Sequence, residues 1–125
     1  MTDEPLLPSE SQIAALVDRF YGKVRADEIL GPVFEAAIAD WGPHLATMRD
    51  FWSSVMRTSG RYKGNPFSAH LKHPIRPEHF QRWLKLFAET TDEVVGGALA
   101  ERFRGKAENI ARSLQMGLFF RPDAA

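Results

Sequence analysis

Apolar side chains recur every three or four positions along almost the whole of this chain, and that period restricts it to helices packed on helices. The clearest stretch is Ile13, Leu16, Val17, Phe20, Tyr21 and Val24, preceded by Ser9-Glu10-Ser11-Gln12. There the Ser9 hydroxyl and the Gln12 side chain can each satisfy a free amide at a helix start. Gly31-Pro32 restarts a short helix through Val33, Phe34 and Ile38. Asp40 is placed to cap a third, with Pro43 tolerated in its first turn and His44, Met48, Phe51, Trp52, Val55 and Met56 as its inner stripe. Thr58 to Pro66, with Gly60, Gly64 and Asn65-Pro66, reads as a loop. Ser68 is the expected cap of a helical turn of a few residues, which Pro74 stops, because α geometry is disfavoured at His73. Pro77 opens a long helix bearing Phe80, Trp83, Leu84, Phe87, Thr91 and Val94, which Gly96-Gly97 ends. A last helix carries Leu99, Phe103, Ala107, Ile110, Leu114 and Leu118. No segment reads as a strand, so the expectation is an all-α domain of about six helices packed pairwise.

At 125 residues the chain makes one domain, residues 1–125. That length can bury roughly two thirds of the unfolded surface without disulfides or structural metal. Residues 1–8 and 121–125 are expected to be a flexible arm and tail. Sixteen basic and sixteen acidic residues cancel, with no basic block. This argues against nucleic acid or an anionic membrane as the main partner. No apolar run approaches a membrane span, and Met1 to Pro8 is acidic and proline-bearing where a signal peptide would be basic and then apolar. The expected location is cytoplasmic, and the absence of cysteine is compatible with it.

Without cysteine, a transition metal or a metal-bearing cofactor has to be held mainly by imidazole. Three of the four histidines, His70, His73 and His79, fall within ten residues and run into the stripe of Phe80, Trp83, Leu84 and Phe87. His44 opens a second apolar stripe. Taken singly, such a histidine is more often a hydrogen-bonded core residue than a ligand, and Tyr21 or Trp83 is more often packing. Two competing readings therefore stand: a helical zinc or non-haem metal protein using His70, His73 and His79, and a cofactor-free interaction module whose stripes make only a core or an interface.

The residues taken in order are more specific. Phe20-Tyr21-x-Lys23-Val24-Arg25, then Leu30-Gly31-Pro32-x-Phe34, then His44 leading to Phe51-Trp52, Tyr62-x-Gly64-x-Pro66-x-x-x-His70-Leu71, and Phe80-x-x-Trp83-Leu84-x-Leu86-Phe87 together resemble the group III truncated haemoglobins, from Ser9 to Phe120. The resemblance implies a shortened globin fold enclosing haem b. It makes His70 the single protein bond to a five-coordinate iron, Tyr21 and Trp83 polar donors on the distal side, and His44 a distal histidine gating the entrance. Phe34, Met48, Phe51, Trp52 and Phe87 become apolar walls, with Tyr62 and Arg76 as further cofactor contacts. Arg61, Lys63, Lys72 and Arg76 are the cations available for the haem propionates, while His73 and His79 are expected to be surface or haem-edge residues.

The chemistry suits these residue types. An imidazole on a stiff turn can present Nε2 to a metal while Nδ1–H bonds a backbone carbonyl. A dioxygen ligand that draws electron density is stabilised by an O–H or N–H donor, each worth about 1–3 kcal/mol when charge-assisted. The expected ligands are O2, NO and CO, with slow O2 release. NO dioxygenase-like or peroxidase-like turnover, a reductase partner, and a monomeric or weakly dimeric state complete the expectation.

Overall fold

The computed structural model describes residues 6–119. Six helices account for most of them, and none of the described residues forms a strand: α1 (Glu10–Ala26), α2 (Leu30–Ala37), α3 (Trp41–Arg57), α4 (Pro66–Leu71), α5 (Pro77–Val94) and α6 (Gly97–Phe119). The all-α expectation holds. Helix α1 is the hub, packing on α2, α3 and α5; α5 also packs on α6 and touches α2, and α4 rests on α6.

Local chemistry explains most boundaries. Gln12 N–H donates to Ser9 Oγ at 3.0 Å and Ser9 N–H to Gln12 Oε1 at 2.8 Å, the reciprocal pair that starts α1. Helix α2 begins at Leu30, one residue ahead of the Gly-Pro pair, because Asp27 Oδ2 accepts the amides of Ile29 at 3.1 Å and Leu30 at 2.9 Å. Gly31 is needed there because α2 crosses tightly over the end of α1: a Cβ would sit 2.9 Å from the Arg25 carbonyl oxygen. Asp40 caps α3 through Gly42 N–H at 3.2 Å, as its position implies. The cap of α4 differs from expectation. Asn65, not Ser68, is the capping side chain, accepting Ser68 N–H at 3.3 Å, and Pro66 is the first helical residue rather than the end of a loop. Helix α5 closes at Gly96, whose φ of 65° lets its amide turn back to Thr91 O at 2.9 Å.

The inner face of α1 is sealed, with Ile13, Leu16, Phe20 and Val24 at 1% exposure or less. Each contributes about 1.5–3 kcal/mol of burial against the facing helices. Ion pairs fix α5 across α1: Arg19 and Lys23 both meet Glu93, and Arg82 reaches Asp27 Oδ1 at 2.5 Å. The Arg82 guanidinium, with the amides of Leu30 and Ile29 behind it, holds the Asp27 carboxyl below the usual carboxylate range against the opposing effect of burial.

The expected flexible arm and tail lie largely outside the described residues. Of the arm, Leu6 and Leu7 are exposed, whereas Pro8 is buried and its carbonyl accepts Arg57 Nη1 at 2.6 Å. No described helix is long and apolar enough to cross a membrane.

Candidate functional site

Stripes on α1, α2, α3, α5 and α6 do not close completely on one another, and α4 stands across the gap. They enclose a mostly apolar cavity of about 340 Å³, within the range of small-ligand and cofactor sites. Its hydrocarbon comes from Leu30, Val33, Phe34 and Ile38, from Met48, Phe51 and Trp52, and from Ile75, Phe80, Ile110 and Leu114. Few polar groups reach it, and four of them are the chain's four histidines.

His70 is placed on α4, the six-residue helix fixed by the Asn65 cap and Pro66. Its Nδ1 lies 2.6 Å from the carbonyl oxygen of Pro66, one turn earlier. A carbonyl only accepts, so Nδ1 carries the proton and the lone pair is left on Nε2. The half-buried ring lies 6.2 Å from that of Phe80. This is the arrangement an imidazole needs as a neutral metal ligand with its orientation set by a backbone acceptor.

Tyr21, from α1, is 4% exposed, and its burial raises the phenol well above its ordinary value of 10.0, partly offset by the neighbouring Trp83 indole. The hydroxyl therefore stays protonated across the neutral range and is available as a donor. Trp83 is held by stacking: its ring lies 5.0 Å from Phe87 at 7°, and Phe87 in turn lies 4.9 Å from Trp52 at 17°. Phe20 sits edge-on to both Trp83 and Phe87.

His44 packs edge-on between Tyr21 at 5.3 Å and Trp41 at 5.5 Å, and its Nε2 is buried with no hydrogen-bond partner, as is Trp41 Nε1. Desolvation lowers its pKa from 6.5. A buried nitrogen with no partner is uncommon and marks a place where a further group or a ring movement would restore the bond.

The structure brings together on one cavity Tyr21, Phe34, His44, Met48, Phe51, Trp52, Tyr62, His70 and Trp83 from the sequence-chosen set. Tyr62 is steered there by its amide bond to Ser54 Oγ at 2.8 Å and by an edge contact with Phe51 at 5.1 Å. Two of the set lie elsewhere. Phe87 does not line the cavity; it is 1% exposed and forms the middle of the Trp52–Phe87–Trp83 stack behind it. Arg76 is not on the lining either; its side chain is 73% exposed and pairs with Glu78 at 3.6 Å.

His73 and His79, expected as surface or haem-edge residues because one proximal ligand suffices, both reach the lining. The zinc alternative does not follow from that: among the described residues no group of three or more His, Asp or Glu side chains could hold a metal ion. Sequence reasoning also passed over Trp41, which stacks on Phe34 and carries the Arg25 guanidinium 4.5 Å above its ring. Its spacing from His44, Leu45 and Met48 already placed it on the inner stripe.

Comparison with known proteins agrees with this architecture. A family model described as bacterial-like globin matches residues 7–115. A group 3 truncated hemoglobin of Campylobacter jejuni is 36% identical over 116 residues, 89% of this chain and 91% of that protein. The crystal structure of a group III truncated hemoglobin from the same organism superposes with a TM-score of 0.85 at 35% identity, covering 96% of this chain and 97% of that one. By sequence and by fold alike, the chain belongs to the bacterial-like globin family, a haem-binding family, and is similar to its group III truncated haemoglobins.

Proposed function

We propose that this chain holds haem b in the cavity through His70 and binds O2 and related diatomics beneath Tyr21 and Trp83. The observation that carries the reading is the Nδ1 contact of His70 with Pro66 O at 2.6 Å, which leaves an unprotonated Nε2 on a side chain of the lining. The cavity fits the group in other respects as well. It is broad and apolar with isolated polar points, and the His44 Nε2 has no protein partner.

Haem iron, when bound, supplies an open coordination position for small diatomics and the redox chemistry that follows from it. The protein's own work is to orient and to exclude. Pro66 O fixes the His70 tautomer, and the short capped helix fixes its position. Val33, Phe34, Ile38, Met48 and Phe51 keep water out. Tyr21 and Trp83 offer an O–H and an N–H to a ligand that gathers negative charge, which favours O2 over CO and slows its release. Slow release suits handling of O2, NO or peroxide better than bulk oxygen delivery.

The reduced protein is expected to show an intense Soret band that moves on addition of carbon monoxide, and His70→Ala is expected to lose it. Stopped-flow measurement of O2 dissociation should find Tyr21→Phe and Trp83→Phe each about tenfold faster than the parent, the loss of about 1.4 kcal/mol of donor stabilisation. Unchanged off-rates in both variants would remove the two-donor mechanism while leaving the cofactor in place.

A further inference from the structure

His79 occupies the third position of α5, and its Nδ1 accepts the Arg76 backbone N–H at 3.0 Å. An N–H only donates, so the proton of the neutral ring is fixed on Nε2. His70 is the reverse, with its proton on Nδ1 and Nε2 bare. One cavity is therefore lined by two imidazoles of opposite tautomer, each set by the backbone: one offers a lone pair and the other an N–H. The His79 Nε2–H has no hydrogen-bond partner among the described residues, and the side chain is half-buried at the lining.

We propose that His79 is the carboxylate anchor of the cavity, its Nε2–H receiving an acidic side group of the cofactor. This rests on the haem reading above, since haem is an apolar disc bearing two propionates. The ring sits at the N-terminal turn of an 18-residue helix, where the positive end of the dipole favours an anion. The cations that spacing alone would choose are otherwise engaged or off the lining. Arg61 pairs with Glu10 at 3.3 Å and Arg76 with Glu78 at 3.6 Å, and Lys63 and Lys72, like those two, do not reach the cavity. A neutral N–H already held in place by the backbone loses less freedom on forming the bond than a long exposed cationic side chain.

The test compares haemin with haemin dimethyl ester, whose carboxylates are masked, in the parent, His79→Glu and His79→Gln. Both substitutions keep an acceptor for the Arg76 amide, so α5 starts as before. Glu sets a negative charge against the propionate, and Gln replaces the fixed N–H with a flexible amide. Transfer to excess apomyoglobin is expected to be about tenfold faster for haemin from both variants, with the ester leaving all three proteins at the same rate. Haemin release within twofold of the parent in both variants overturns the proposal. Equal acceleration for both porphyrins overturns it too, since His79 would then be acting by packing. A parent that takes up neither porphyrin overturns the haem reading itself, an outcome distinct from the other two.

Discussion

At the scale of single residues, His44 is the group through which pH should act on the empty protein. Burial among Tyr21 and Trp41 lowers its pKa below 6.5, so the folded chain binds fewer protons there than the unfolded one. The stability His44 confers is present above 6.5 and is lost as pH falls from there through the depressed folded value. Thermal melts of the apoprotein between pH 7 and 5 should show a falling midpoint, and His44→Phe should flatten that fall. An identical slope in the variant would mean that His44 charges without cost where it sits. Tyr21 behaves oppositely: its raised pKa preserves the neutral phenol, and the stability it adds is lost only as pH rises past 10.0. The identities of these residues were readable in the sequence, as was His70. The Nδ1–H bond from His70 to a backbone carbonyl was anticipated too, whereas the opposite tautomer of His79 was not, because it is set by the Arg76 amide at a helix start.

Among the elements, α4 has the least support of its own. It is six residues long, has no buried residue and rests on α6. Its order depends on the Asn65 side chain, Pro66 at its start and Pro74 beyond its end. Asn65→Ala is expected to cost about 1 kcal/mol of local helix stability. Because α4 contributes little to the core, this should appear as faster haemin loss with the urea midpoint of the apoprotein nearly unchanged. A fall in that midpoint as large as the effect on haemin would contradict it. The sequence anticipated a short helix here but started it three residues late, with Ser68 as its cap, because Asn-Pro serves equally as a turn and as a helix start. The early start of α2 was hidden because it is set by Asp27, whose amide partners and Arg82 only the fold brings together.

For the whole molecule, six helices were readable because their 3.6-residue stripes are interrupted by proline, glycine and capping side chains. Which apolar residues face a cavity and which face other helices was not readable, since both obey the same period. Phe80 and Phe87 share one stripe of α5, yet Phe80 lines the cavity and Phe87 is locked behind it between two indoles. Phe87→Ala is expected to destabilise the fold by about 3–5 kcal/mol, measured by urea unfolding. It should also quicken O2 release, because Trp83 loses its stacking support; a loss below about 1 kcal/mol would mean that the stack is dispensable. That stack has an optical consequence. The chain's three tryptophans are Trp52 and Trp83 on the lining and Trp41 against His44. Two indoles thus line the proposed porphyrin site and the third packs on one of its lining histidines, so near-ultraviolet excitation becomes a built-in gauge of loading: bright emission when empty, dark when filled.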